Sequence, residues 1–128
     1  MMTGVAAIMG LALIEYLLLG FMVGRARGTY NVPAPATTGD PVFERYFRAH
    51  QNTLESLIVF VPALWLFATY LSIPIAIALG LIFIAARIIY AAGYIKAPEK
   101  RAAGAGLTFL VNAALVIGGL FGIAIHRL

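Results

Sequence analysis

The sequence predicts an all-α integral membrane protein, a single four-transmembrane-helix bundle occupying residues 1–128. Composition is the first observation: 62% of the residues are hydrophobic and only 11% charged, a balance that excludes an ordinary soluble domain. The second is the gathering of apolar residues into three blocks, Val5 to Val23, Leu57 to Ala86 and Ala102 to Ile125. The third is the length of the middle block, too great for one crossing of about 30 Å at about 1.5 Å per residue. It must fold back, and the break falls at Ser72-Ile73-Pro74, where Pro74 lacks an amide donor and biases Ile73 away from helix. Four spans follow, at about residues 3–24, 43–71, 75–96 and 102–125.

The first apolar block has no Lys or Arg before it, as a cleavable secretory signal would require, so residues 1–24 are read as a retained helix. The connection from Arg25 to Pro41 contains Pro33, Pro35, Pro41, Gly28 and Gly39, which predicts an ordered or extended loop without a helix of its own. Asp40-Pro41 then starts the second helix. Along it Arg45, Arg48, Asn52 and Glu55 are spaced three, four and three apart and share one face, while His50 points elsewhere. One reading makes this a snorkelling helix end whose charges meet water and headgroups. Against it, Asn52 and Glu55 lie about 10 Å or more deeper than Arg45 and would be stranded in hydrocarbon.

The third span closes with Tyr90 and Tyr94, one turn apart, followed by Lys96, Lys100 and Arg101. Tyrosines at this level commonly form an aromatic belt. Opposite the Arg48, Asn52 and Glu55 face, however, the phenols and cations complete a pocket with acceptors for an ammonium and donors for carboxylates. In the fourth span, Gly104, Gly106, Gly118, Gly119 and Gly122 allow close helix packing, with Gly118 and Gly122 also suited to a subunit contact. Asn112 is expected to hydrogen-bond between helices.

Arg25, Arg27, Arg45, Arg48, Lys96, Lys100 and Arg101 lie in or beside the first and third connections, whereas the second connection has no cation. This asymmetry predicts both termini outside and the polar pocket toward the cytoplasmic face, at the inner membrane if the cell is bacterial. The net charge of +4 then reflects topology and an anionic substrate or lipid, with no nucleic-acid partner. With no cysteine in the chain, any thiol chemistry belongs to a substrate. His50 and His126 have no metal-ligand spacing, so no metal is expected. Two intramembrane charges remain, Glu15 and Arg87, at matching depths of about 18 Å from the outer surface. They are expected to form a buried structural contact, within or between subunits, because an unpaired charge at that depth is costly.

Taken together, RARGTYNVPAPATTGDPVFER, the continuation RAHQNTLE and ARIIYAAGYIKAPEKR resemble, in order and register from about Arg25 to Arg101, the membrane-associated proteins in eicosanoid and glutathione metabolism. That family includes leukotriene C synthase and the microsomal glutathione transferases. The resemblance implies a homotrimer of four-helix subunits that binds glutathione as a co-substrate at subunit interfaces, with a lipophilic electrophile or hydroperoxide entering from membrane lipid. It makes Arg27, Arg48, Asn52, Glu55, Tyr90 and Tyr94 glutathione ligands, and Arg101 the residue that activates the thiol. His50 falls where the leukotriene synthase has glutamine, near the tripeptide. Ser56 stands where that enzyme has tyrosine, so one tripeptide contact is weakened or replaced.

The expected function is therefore that of a membrane glutathione transferase that conjugates a lipophilic electrophile or reduces a lipid hydroperoxide. Two alternatives stay open. One is a non-catalytic lipid-presenting member of the same family. The other is suggested by the lone carboxylate in the first helix, Glu15, which resembles that of the small proton-coupled multidrug exporters.

Overall fold

The computed structural model describes residues 2–127. Four helices, α1 (Met2–Thr29), α2 (Pro41–Tyr70), α3 (Ile73–Lys96) and α4 (Ala102–Arg127), carry the chain, with one tight helical turn, Pro98–Arg101, between α3 and α4. All four are long and apolar enough to cross a membrane. The expected four-span bundle is thus present, with different element ends.

Helix α1 runs past its expected end, so Arg25 and Arg27 belong to the helix and not to the connection. Nothing from Gly24 to Thr29 forbids helix, and basic residues are favourable where the carbonyls of a last turn lie free. Termination comes at Asn31, whose φ of 56° is left-handed, a conformation asparagine tolerates better than most residues. Val32 N then donates to Arg27 O at 3.0 Å. At the second connection α3 starts at Ile73, earlier than the expected span, because Pro74 sits at the second helical position, where its missing N–H has no partner to lose. Ser72 is the cap, its Oγ accepting from Ile75 N at 3.3 Å.

Helices α2 and α3 touch every other helix. Their shared core centres on Phe60 and Phe83, fully buried and stacked with centroids 3.7 Å apart and planes 10° from parallel. Val5, Ile8 and Ala12 of α1 and Val111 and Leu115 of α4 close around this pair. Outward-facing Leu17, Phe21, Phe109, Ile117 and Phe121 remain exposed, as a lipid-facing surface permits. Glycine sets the closest approach: a Cβ on Gly104 would lie 2.6 Å from Tyr90 Cα, so α4 can meet α3 beside the tyrosines only at glycine. Gly118, Gly119 and Gly122 pack inside the chain against Phe67, Leu66 and Tyr70, whereas a Cβ on Gly106 would meet nothing within 4 Å.

Candidate functional site

The site begins with the cap of α2. Asp40 Oδ1 accepts from Val42 N and Phe43 N, both at 2.9 Å, and Pro41 takes the first helical position, where no N–H is needed. Glu44 Oε2 accepts from Gly39 N at 3.2 Å, securing the cap from the helix side. With the helix start held, the phase of α2 turns Arg45, Arg48 and Asn52 toward the end of α3. Arg45 Nε donates to Ile95 O at 3.0 Å, using a carbonyl that the last turn of α3 leaves free. A cavity of about 480 Å³ opens there, lined by Glu44, Arg45, Arg48 and Asn52 from α2, Tyr94 from α3, and Arg101.

Tyr90 and Tyr94 do not form an interfacial belt: they are only 2% and 8% exposed, and their rings meet edge to face with centroids 5.6 Å apart. Asn52 Nδ2 donates to the Tyr90 hydroxyl. The Arg101 guanidinium carbon lies 5.6 Å from the Tyr94 ring centroid, within cation–π range. Arginine and tyrosine are therefore held together at the mouth of the cavity.

A second cavity, about 620 Å³, runs as a groove between α2 and α4. Asn52, Glu55, Ser56 and Val59 line one side, Ala105, Thr108, Phe109, Asn112, Val116 and Ile117 the other, with Arg87 and Tyr90 contributed by α3. Asn52 lines both cavities. Ser56 Oγ donates back to Asn52 O at 3.1 Å, and its carbonyl accepts from Asn112 Nδ2 at 3.2 Å, the interhelical bond expected of Asn112.

Arg87 does not make the direct bond to Glu15 expected of it within the chain. Its Nη2 donates to Thr53 Oγ1 at 2.7 Å and its Nη1 to Thr108 Oγ1 at 3.3 Å. Thr108 can accept because its own proton goes to Gly104 O at 2.8 Å. The guanidinium also lies 4.1 Å from the Tyr90 centroid. Glu15 shares with Arg87 a mostly apolar cavity of about 240 Å³ between α1 and α3, yet Glu15 Oε1 and Arg87 Nε are both buried without a partner. The two threonines and the tyrosine face supply a nearer environment for the guanidinium than the α1 carboxylate does.

Among the residues expected to bind glutathione, Arg48, Asn52, Tyr94 and Arg101 converge on the polar cavity, and Glu55, Ser56 and Tyr90 on the adjoining groove. Arg27 and His50 line neither within the chain. Arg27 Nη1 donates to Val32 O at 3.2 Å and Ala36 O at 2.7 Å, bracing the first connection. His50 stacks on Tyr16 of α1 with centroids 4.3 Å apart, and a Cβ on Gly20 would lie 3.1 Å from its Nε2. Sequence reasoning passed over Thr53 and Thr108; hydroxyls at membrane depth on two helices flanking an intramembrane arginine were the available signal.

Fold and site define a polytopic membrane protein in which a cationic, tyrosine-walled cavity adjoins an apolar groove. The family model described as MAPEG family matches residues 5–121, and the chain belongs to that family. It is 40% identical over 119 residues to microsomal glutathione S-transferase 2 of Homo sapiens, covering 93% of this chain and 81% of that protein. Identity is 49% over 118 residues, covering 92% and 86%, with an uncharacterized protein of Synechocystis. With leukotriene C4 synthase of Cavia porcellus it is 35% over 96 residues, covering 75% and 63%. Two of these relatives are thus named for glutathione transfer and for the synthesis of leukotriene C4.

Proposed function

We propose that this protein binds glutathione in the cavity of Arg48, Tyr94 and Arg101, holds its sulfur as thiolate, and delivers it to a lipophilic electrophile seated in the adjoining groove. The observation that carries this reading is the position of Asn52 on both cavities, so that a charged and an apolar substrate meet at one residue.

Glutathione brings two carboxylates, an ammonium and a thiol. Arg45 and Arg48 match the carboxylates, Glu55 on the groove side of Asn52 matches the ammonium, and Arg101 is left for sulfur. A free thiol titrates near about 8.5, and lowering that by about two units takes roughly 2.7 kcal/mol of preferential thiolate stabilisation. A guanidinium in contact in a partly dry site supplies energy of that order. The thiol proton leaves to solvent through the exposed mouth, and the sulfur lone pair forms the carbon–sulfur bond. On a conjugated enone the displaced electron pair moves to oxygen and a water proton completes the addition. With a lipid hydroperoxide, thiolate takes the terminal oxygen, the O–O bond breaks to leave the alcohol, and a second glutathione closes the disulfide with release of water.

The reading includes a homotrimer with its pockets toward the cytoplasmic face. Arg27 and His50, which lie on the α1 side and away from both cavities, are then supplied to each pocket by a neighbouring copy.

The test is the ultraviolet thiolate difference spectrum of glutathione with purified protein, wild type against Arg101→Ala, across pH. A band at neutral pH that disappears in the variant is expected. Binding without the band would replace catalysis with the lipid-presenting reading, and no binding would overturn the assignment.

A further inference from the structure

Helix α1 carries a stripe that the proposed function leaves unused. Glu15, Leu18, Met22, Arg25 and Thr29 are spaced three, four, three and four apart, so they lie along one side of the helix. The deep part of this stripe walls the apolar cavity of about 240 Å³, where Leu18 and Met22 face Ile88, Ala92 and Ile95 of α3, with Glu15 at the far end. Toward the polar end of the bundle the same stripe walls a space of about 220 Å³, formed by Met22, Arg25, Ala26, Thr29, Tyr30 and Tyr46. Met22 lines both, so the two adjoin. The chemistry changes at that residue: below it is hydrocarbon, and above it are a guanidinium, two phenols and a threonine hydroxyl, with no carboxylate among the lining residues. Arg27 is engaged with the carbonyls of Val32 and Ala36, whereas Arg25 is exposed and its guanidinium donates to none of the described residues. Thr29 Oγ1 donates to Arg25 O at 3.2 Å, covering a carbonyl that would otherwise repel an anion at the helix end. Tyr30 and Tyr46 pack on the buried cluster of Val23, Ala26, Val32 and Phe43, which sets the position of both phenols.

We propose that this stripe is a binding site for an anionic phospholipid, with its phosphate on Arg25 beside the two tyrosines and one acyl chain in the α1–α3 cavity. The dimensions favour a bilayer lipid. Glu15 and Arg25 are ten residues apart, about 15 Å along the helix, which is one leaflet of a hydrocarbon core of about 30 Å. A headgroup at the polar end and a chain reaching Glu15 therefore stand as membrane lipid already stands. A soluble anion would fill the polar space and leave the apolar one empty. The donors favour phosphate with a hydroxylated headgroup: the guanidinium takes phosphate oxygens, and the phenol and threonine hydroxyls, which both donate and accept, suit a headgroup hydroxyl. The ammonium of a zwitterionic headgroup would meet a guanidinium and no carboxylate. Gly20, which meets His50, and Arg27 lie about half a turn round α1 from this stripe, so a neighbouring copy packed on His50 and Arg27 leaves the stripe to lipid. The site does not depend on glutathione.

The test uses the full protein in detergent and native mass spectrometry, with phosphatidylglycerol and phosphatidylcholine of identical chains offered in equal amounts. The wild type is expected to retain phosphatidylglycerol about tenfold over phosphatidylcholine, the size of one charged hydrogen bond. Arg25→Gln should bring that ratio close to parity. Lys96→Gln removes the same charge at the same end of the bundle, from a residue that lines neither cavity, and should keep most of the preference. Ala92→Phe, on the exposed face of α3, fills the apolar cavity and should weaken the long-chain lipid severalfold while sparing the dihexanoyl lipid with the same headgroup. Equal retention of the two lipids by the wild type overturns the proposal without reference to any variant. An equal loss in Arg25→Gln and Lys96→Gln overturns it as attraction to net charge alone. Displacement of the lipid by excess inorganic phosphate overturns it in favour of a soluble-anion site. An Ala92→Phe protein that holds both chain lengths as the wild type does, or loses both alike, overturns the path assigned to the chain.

Discussion

Asn52 donates through Nδ2 to the hydroxyl of Tyr90, joining α2 to α3 where the cationic cavity and the apolar groove adjoin. Both partners line the groove, and Tyr90 packs edge to face on Tyr94 and under the Arg87 guanidinium. One hydrogen bond therefore couples the position of the proposed glutathione site to the rigid wall of the bundle.

Tyr90→Phe removes the acceptor and leaves the ring in place. Stability should fall by about 1 kcal/mol, and KM for glutathione should rise severalfold because Asn52 is no longer oriented. Thermal unfolding in detergent and steady-state kinetics check the two effects. Unchanged kinetics would mean that Asn52 is held by other means.

Thr53→Val is close to isosteric but strands Arg87 Nη2, which now donates to Thr53 Oγ1 at 2.7 Å. A loss of about 1.5–3 kcal/mol is expected, as for other buried charged donors. Combining it with Arg87→Met should recover much of that loss, since the charge that needed the hydroxyl is gone. Strictly additive losses in the double variant would show that the threonine acts through packing alone.

Glu15→Gln should not lower the thermal midpoint, because Glu15 Oε1 has no partner in the chain and a neutral amide is less costly at membrane depth. Glutathione conjugation should persist. A midpoint lower by several degrees would reveal an ion pair formed on assembly, and proton-driven efflux lost in this variant would support the exporter.

Arg27→Ala releases the carbonyls of Val32 and Ala36 that Arg27 now bridges. The first connection should open more often, so limited proteolysis between residues 30 and 40 should accelerate by about five- to tenfold, the equivalent of one lost charged hydrogen bond. Mass spectrometry of the fragments locates the cleavage; an unchanged rate would mean that the prolines alone hold the connection.

Helix number and the grouping of Arg45, Arg48 and Asn52 were legible because both depend on local rules, apolar length against membrane thickness and helical spacing. The turn at Ser72-Ile73-Pro74 was legible for the same reason, although Pro74 lies inside the start of α3. Element ends were less so: α1 continues through Arg27 to Thr29 because a polar helix turn needs no more than the absence of a breaker.

The sequence by itself determined a four-span membrane protein with most of its cations gathered at the end of α1, the start of α2 and just after α3, since these follow from hydropathy, charge placement and periodicity along the chain. Only the tertiary structure decided that Asn52 joins two cavities, that His50 stacks on Tyr16, and that Arg87 turns to Thr53 and Thr108 instead of bonding Glu15. Equal depth in the membrane gives only a coordinate along the bilayer normal. Partnership depends also on the rotation of each helix about its axis, which is set by how neighbouring side chains pack.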